Sequence, residues 1–349
     1  MAALTSDQLA NVANASLDFF INKGDVLSQA IQDKPLFAAL DAKSKSYPGG
    51  KGKVDLAVKG VYETALAGYT ATDQVSYSNP DHIKRVNYTW HEHHIGIEVT
   101  HTELKHDGIS VSDALTGETS NVSRRDQTVL VNLFKDKMED MMEGYARGMN
   151  DLLYTDGTST TAMTGIQGII ADNPAATSAS VGGLRTDTNT WWRNRFNVAI
   201  STSSGGQELI DLIHKEIRQL RRYGGKPSLA VCGSAFLDRL TTELKSKGNF
   251  TQTGWTGKQD ISMGEVYYQG IQFQYDPTLD DINLTGKDGD KRCYIIDPTK
   301  LYIMYMDGEK MKRHSPTRPH DYYSIYRAIT TTSVLCASQL NCHGVYEIS

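Results

Sequence analysis

The sequence is short of several things, and each shortage removes a class of function. Its four cysteines, Cys232, Cys293, Cys336 and Cys342, include no C-x-x-C pair. That excludes a dense disulfide scaffold, and the four read as reduced thiols of a cytoplasmic product. No apolar run approaches the ~18–20 residues of a membrane span, so no membrane partner is expected. The opening MAALTSDQLANVANASLDFF lacks the charged-then-apolar order of a secretory signal. Positive charge is not in excess: 36 Lys and Arg face 41 Asp and Glu, a net charge of −5. No basic field therefore advertises nucleic-acid binding, although a protein that only encloses nucleic acid needs none. There is no G-x-S-x-G elbow and no phosphate loop ending in Gly-Lys-Ser/Thr. GGKPS (224–228) puts its glycines after a helix, the wrong polarity for a phosphate cradle. Internal repeats are also missing.

What is present is a folded chain. Its 349 residues, 39% apolar and 22% charged, suit one large domain or two to three ordinary ones. Tyrosine outnumbers phenylalanine 18 to 8. A ring with a polar tip suits half-wet contacts between subunits. Two of the four tryptophans are adjacent, in TDTNTWWRNRFN (186–197), with Arg193 beside them. Neighbouring side chains point different ways. One of Trp191 and Trp192 is thus expected to enter a core, while the other covers a loop or meets something outside the chain.

Patterning gives the elements. Residues 5–22 predict a short amphipathic helix, with Thr5 and Gln8 as a capping box and Leu9, Val12, Ser16, Phe19 and Phe20 on one face. KSKSYPGGKGK (43–53) reads as a linker. Residues 54–101 predict a long β-hairpin with a polar tip at 68–82. Its apolar residues are even-numbered through Val86, Tyr88 and Trp90, then odd-numbered at Ile95, Ile97 and Val99. A one-residue slip flips every side chain, so a bulge or sharp twist is expected in HEHH, 91–94. A lone ribbon is marginal in water and needs another surface to lie on. Residues 121–154 predict a long helix with Leu130, Leu133, Phe134, Met138, Met141, Met142, Tyr145, Met149, Leu152 and Leu153 at helical spacing. About 30 residues would span roughly 45 Å, a spine that a small domain could not cover. After a Thr-, Ser-, Asn- and Gly-rich stretch (155–205) comes a helix lined by Leu209, Leu212, Ile213, Ile217 and Leu220 and closed by Gly224. Strands are expected at 228–233, 271–275, 293–298 and 300–306, a short helix from Ser234 to Leu244, and one long strand over 322–348. Helices and strands are mixed without βαβα alternation, which makes the fold class α+β.

WHEHHIG (90–96) raises the question of a metal. His91 and His93 share a strand face, with Glu92, His94 and His101 nearby. The pattern is not H-E-x-x-H, and no further ligand or supporting shell can be placed. Half-exposed strand histidines near a bulge are the preferred reading. DDINLTGKDGD (280–290) lacks calcium-loop spacing and reads as a solvated surface hairpin. No catalytic, cofactor-binding or metal-binding residue is assigned.

Taken in order, these elements resemble the major capsid (head) protein of tailed bacteriophages, the Hong Kong 97-type (HK97-like) fold. TGIQGII (164–170) is similar to a turn of such proteins that follows the spine helix. TNTWWRNR (188–195) is similar to a W-W-R-N segment of one group, and LCASQLNCHGVYEI (335–348) resembles their ending. The resemblance implies an N-terminal arm (1–50), an extended loop made of the β-hairpin (51–105) and a peripheral domain (106–225) holding the spine helix. It further implies an axial domain (226–320) and a C-terminal strand (321–349) returning to the peripheral domain. Only about 50 residues precede the hairpin and the sequence starts at Met1, so no cleaved leader domain is expected and a separate scaffolding protein is implied. The family's founding member cross-links a loop Lys to a neighbour's Asn. The tip 68–82 has no Lys, while Lys53, Lys59 and Lys84 sit lower, so a shell without covalent cross-links is expected.

The implied function is self-assembly, without enzymatic activity, into hexamers and pentamers of an icosahedral head that encloses double-stranded DNA without sequence-specific binding. Its partners would be many copies of itself, a portal protein, the scaffolding protein and a decoration protein where one is used. Its place would be the virion, after assembly in the host cytoplasm. Tyr69, Tyr77, Trp90, Trp191, Trp192 and Arg193 are the expected assembly contacts, and the tryptophan pair is expected to brace the spine helix or a three-fold junction. Lys135, Lys137, Glu139 and Asp140 would give the spine helix a mixed-charge face towards DNA. Two rivals are an encapsulin-like compartment that holds a protein cargo, and a metal-dependent enzyme built on Glu92 with His91, His93 and His94.

Overall fold

The structure is a computed structural model. It describes residues 4–5, 34–49, 52–60, 64, 66–74, 77, 83–106, 111–112, 124–202, 208–246, 266–282, 284, 287–314 and 324–349. Strand β1 (Leu4–Thr5) is a two-residue segment that later pairs in parallel with Val111–Ser112. The remainder of the helix expected over 5–22 lies outside the described residues. Helix α1 (Pro35–Asp41) buries Leu36, Phe37 and Leu40, three positions on one helical face. Strand β2 (Lys45–Tyr47) corrects the linker expectation for 43–53. Its Lys45 lays its ammonium 3.7 Å from the centroid of the Tyr302 ring, and Tyr47 meets Trp90 with ring centroids 6.2 Å apart. A lysine stem and a tyrosine ring thus hold a polar sequence in a sheet, which composition alone does not reveal.

Strands β3 (Lys53–Lys59) and β4 (Ile83–Thr89) pair antiparallel, in register from Lys53 opposite Thr89 to Lys59 opposite Ile83. Strand β5 (His91–Thr100) does not continue that pairing but joins a strand near the C-terminus. The parity change in the sequence is real: Val86 and Tyr88 are buried on β4, then Val99 on β5. Its cause is a change of partner strand at Trp90, not a bulge within one hairpin. Helix α2 (His101–His106) and strand β6 (Val111–Ser112) follow.

Helix α3 (Arg124–Leu153) is the expected spine, 30 residues long. Met138, Met141, Met142, Tyr145, Met149 and Leu153 are buried along one stripe, and unbranched methionines suit an irregular surface. Helix α4 (Ile166–Ile169) is the TGIQGII turn. Its glycines are needed for close approach: a Cβ at Gly165 would lie 2.4 Å from the Leu153 carbonyl oxygen, and one at Gly168 would lie 2.5 Å from that of Asp156. Strands β7 (Ser180–Val181) and β8 (Leu184–Arg185) flank Gly182 and Gly183, both at positive φ, as a tight two-residue hairpin requires. Strand β9 (Arg195–Ile200), helix α5 (Glu208–Arg221), strand β10 (Leu229–Cys232) and helix α6 (Ser234–Ser246) come next. Strands β11 (Val266–Tyr268) and β12 (Ile271–Tyr275) lead to helix α7 (Pro277–Asp281).

Helix α7 overturns the surface hairpin expected at 280–290. Asp276 caps it by accepting from Thr278 N, Pro277 sits in its first turn, and a 3₁₀ turn at Gly289–Lys291 follows. Strands β13 (Arg292–Ile296), β14 (Leu301–Met306), β15 (Lys312–His314), β16 (Ser324–Ala337) and β17 (Gly344–Ile348) complete the chain. The single closing strand expected over 322–348 is therefore two strands, β16 and β17, separated at 338–343.

The residues form two compact units: Met1–Ala38 with Glu92–Asn150 and Tyr305–Ser333, and Ala39–His91 with Asp151–Met304 and Val334–Ser349. In the first unit the Phe37 N–H donates to Asn150 Oδ1 at 3.2 Å, and the Phe37 and Tyr145 rings meet edge-on. Tyr145 and Thr331 share a hydroxyl hydrogen bond of 3.2 Å, and Ile95 lies over Gly144. Spine helix, α1, β5 and β16 are thus packed together. The second unit is built on a six-stranded mixed sheet in the order β11-β12-β10-β13-β17-β9. Helices α5 and α6 cover one face, where Leu209, Ile213, Ile217, Phe236 and Leu240 meet Ala230, Cys232, Phe273 and Ile295. Each leucine, isoleucine or phenylalanine among them removed from water contributes about 1.5–3 kcal/mol. Glu243 of α6 caps α5 by accepting from the Leu209 and Ile210 N–H groups at 3.1 and 3.2 Å. The other sheet face holds a buried ionic knot. Arg292 reaches Asp172 at 3.0 and 2.8 Å, Glu347 at 2.6 Å and the Tyr294 hydroxyl at 3.1 Å. Burial opposes ionisation there, yet Arg292 and Lys287 hold the Asp172 carboxyl below its ordinary value.

Candidate assembly interface

The β3–β4 ribbon is pinned by contacts, and the described residues between its strands at 64, 66–74 and 77 are exposed. On β3 and β4 the even-numbered Val54, Val58, Val86 and Tyr88 are buried, while Lys53, Lys59, Arg85, Asn87 and Thr89 face out. Three contacts fix the ribbon, two near its base and one just past the far end of β3. The Tyr88 hydroxyl donates to the Ala337 carbonyl at 3.1 Å and accepts from its N–H at 3.4 Å. Burial pushes the Tyr88 phenol well above its ordinary range, so it remains a neutral donor. The Asn87 N–H donates to the Gly182 carbonyl at 2.8 Å. Third, the Trp191 indole lies on Gly60, where a Cβ would fall 1.9 Å from its Cδ2.

At the far end of the paired strands and beyond it, the loop turns apolar residues outward. Leu66, Tyr69, Tyr77 and Ile83 are 105%, 73%, 94% and 61% exposed. The only local order the hydrogen bonds give this tip is a turn in which Asp73 accepts from the Thr70 N–H and hydroxyl, both at 2.8 Å, among the described residues. Those bonds hold the Asp73 carboxyl below its usual value. Leu66 and Ile83 were not picked out from sequence. Their signal was a large aliphatic in a polar stretch with nothing nearby of matching period.

The six expected contact residues fall in different places. Tyr69 and Tyr77 are open to solvent. Trp90 is half-buried against Tyr47, at the point where the chain changes sheets. Trp192 is 2% exposed: its indole N–H donates to the Val181 carbonyl at 3.2 Å, and its ring meets Trp191 edge-on at 5.8 Å. Arg193 is half-buried, its guanidinium donating to the Thr186 and Asp187 carbonyls at 2.6 and 2.7 Å. Asn194 continues the series by bonding both backbone groups of Ala171. The adjacent tryptophans thus divide the work: Trp192 enters the core, and Trp191 covers the glycine that follows β3.

On the spine helix, Glu139 and Asp140 are exposed, whereas Lys137 bonds Glu103 at 2.8 Å and the Glu98 carbonyl at 3.1 Å. Lys135 is within the helix. Along β5, Glu92 and His94 are exposed while His91 and His93 are half-buried, as strand alternation requires. Among the described residues no three His, Cys, Asp or Glu side chains gather as a metal site. Among them, too, no helix is long and apolar enough to cross a membrane.

The fold, mixed helix and sheet with a 30-residue helix and a two-stranded antiparallel ribbon, matches phage capsid structures. The cyanophage A-1(L) capsid asymmetric unit matches with a TM-score of 0.62 and 13% identity, over 90% of this chain and 92% of that one. Gordonia phage Cozz matches with a TM-score of 0.53 and 13% identity, covering 90% and 86%. The capsid of a native GTA particle matches with a TM-score of 0.51 and 14% identity, over 90% of each chain. No protein-family model matches the sequence, and no curated protein does either.

Proposed function

We propose that the chain is the major capsid protein of a tailed bacteriophage, a structural subunit that assembles with copies of itself into an icosahedral head. The observation that carries this reading is the fold match, which spans about nine-tenths of both chains in capsid after capsid. The exposed loop tip supplies the physical motive. Leu66, Tyr69, Tyr77 and Ile83 are surfaces that a neighbouring copy would cover. Heterologous contacts of this kind close into hexamer and pentamer rings, and the rings tile a closed shell. Each contact is modest, and many per subunit act together.

In this reading Tyr69 and Tyr77 touch the neighbour directly. Trp90, Trp191, Trp192 and Arg193 hold the loop base at the angle that presents them. The region 1–50 is the arm, 51–105 the extended loop, 106–225 the peripheral domain, 226–320 the axial domain and 321–349 the returning C-terminal segment, which holds β16 and β17. The enclosed double-stranded DNA meets the mixed-charge face of Lys135, Lys137, Glu139 and Asp140, which tolerates phosphate without gripping it. Assembly takes place in the host cytoplasm with a scaffolding protein and a portal, a decoration protein binds outside where one is used, and the mature shell has no covalent cross-links.

The test is a Tyr69→Ser/Tyr77→Ser variant. It should fold with unchanged secondary structure and thermal stability, because both residues are exposed, while the yield of fast-sedimenting particles falls at least tenfold. Normal particle yield would refute the loop-tip role. An encapsulin-like compartment shares this architecture, and particles carrying a protein cargo with no nucleic-acid absorbance would select it instead.

A further inference from the structure

Cys232 and Cys293 are far apart in sequence, and the fold brings them together. They occupy opposite positions on the antiparallel strands β10 and β13, with their sulfurs 3.2 Å apart. The next residue pair, Gly233 and Arg292, is hydrogen-bonded through the Gly233 N–H at 2.9 Å. Cys232 and Cys293 therefore form a non-hydrogen-bonded pair, the ladder position at which opposed Cα atoms approach to about 4.5 Å. That spacing lies within the range a disulfide spans. Both side chains are buried in the core beneath α5 and α6. The other two cysteines offer no such geometry. The Cys342 sulfur bonds the Gln339 carbonyl and lies 3.5 Å from the His343 ring. Cys336 has no sulfur partner among the described residues.

We propose that Cys232 and Cys293 are a covalent modification site, at which a peroxide closes a disulfide that staples β10 to β13. One thiol, as thiolate, attacks a peroxide oxygen. The O–O bond breaks, a sulfenic acid forms, and the displaced oxygen leaves as water with the thiol's proton. The second sulfur then attacks the sulfenic sulfur. The S–S bond forms, the S–O bond breaks, and hydroxide leaves with the second thiol's proton as another water. Two thiols and one hydrogen peroxide thus give one disulfide and two waters, each sulfur losing one electron. The sulfurs need move only from 3.2 Å to about 2.05 Å. Burial, followed by the Cys232 hydrogen bond, pushes the Cys293 thiol well above its ordinary value, so closure is slow at neutral pH and faster in base. The staple ties together positions 61 residues apart, which restricts the unfolded chain and raises the unfolding temperature. The proposal does not depend on the chain building a shell.

The experiment exposes the native full-length protein to excess hydrogen peroxide for hours, removes the oxidant with catalase, and alkylates with N-ethylmaleimide in denaturant. Adducts are counted by intact mass. The expected result is a fall from four adducts to two, a linked peptide containing Cys232 and Cys293, and return to four after dithiothreitol. Four adducts after oxidation, a link through Cys336 or Cys342, or sulfinic acid in place of the link would each overturn the proposal. In a Cys293→Ser variant the linked peptide must vanish. Should that variant not fold, the peptide map of the unmodified sequence decides alone.

Discussion

Substituting Gly60 by alanine tests how the extended loop is held. Gly60 is not at positive φ, so the backbone accepts alanine. The obstacle is Trp191. The new Cβ would lie 1.9, 2.2 and 2.3 Å from Cδ2, Cε2 and Cε3, the fused edge of the indole rather than a flexible tip. Ordinary contact begins at 3.4 Å, so the ring must retreat by about 1.5 Å (3.4 minus 1.9). It cannot retreat towards Trp192, which is buried and already in edge contact. It must swing outward and uncover the end of β3. Overpacking of this kind costs about 1–3 kcal/mol. In a Trp191→Ala background the clash is gone, and Gly60→Ala should cost less than about 0.5 kcal/mol. The assay is urea unfolding followed by far-ultraviolet circular dichroism on the parent, both single variants and the double variant. Coupling of about 1–2 kcal/mol is expected. Additive costs would refute the idea that Trp191 seats on Gly60.

Three further outcomes follow from the same structure. Tyr88→Phe removes the hydroxyl that serves both backbone groups of Ala337, so unfolding should become easier by about 1–2 kcal/mol, read as a lower urea midpoint. Asp172→Asn leaves buried Arg292 with weakened compensation and should cost about 3 kcal/mol by the same measurement, more than any exposed ion-pair deletion. Burial lowers the His343 pKa from 6.5 to about 4, and its Nδ1 accepts from the Asp297 N–H. The folded state thus resists a proton that the unfolded chain takes up. Stability from this group is complete above about 6.5 and is lost as pH falls towards about 4, a change of roughly 3 kcal/mol. His343→Asn keeps an acceptor and should flatten the acid side of the stability–pH profile between those values.

Much of the architecture was legible because it rests on periodic burial. The spine helix was expected over 121–154 and runs over Arg124–Leu153, since a methionine and leucine stripe of that length has no other use. Helix α5, bounded by its apolar face and by Gly224 at positive φ, was equally plain. The parity change after Trp90 was visible, but its meaning was not: a flip of faces looks the same whether a strand bulges or changes sheets. Short elements escaped because too few residues carry the pattern. Helix α1 shows three buried apolar residues, and β2 is held by a lysine over a ring. The Asp276-Pro277 pair announced α7 through cap and first-turn chemistry, yet the carboxylates beyond it drew attention instead. At the candidate interface, Tyr69 and Tyr77 stand out in the sequence as aromatic residues in a polar stretch, and both are exposed. The fate of Trp192 and Arg193 depended on carbonyls at Val181, Thr186 and Asp187, which no local spacing encodes.

The most direct test of the shell reading is sedimentation of the purified chain at micromolar concentration, with negative-stain microscopy of the fast fraction. A capsid subunit predicts assemblies of megadalton size, seen as closed shells or as tubes and rings of the same repeating unit. A single 38.6 kDa species at every concentration, with no particles in the stain, would contradict it.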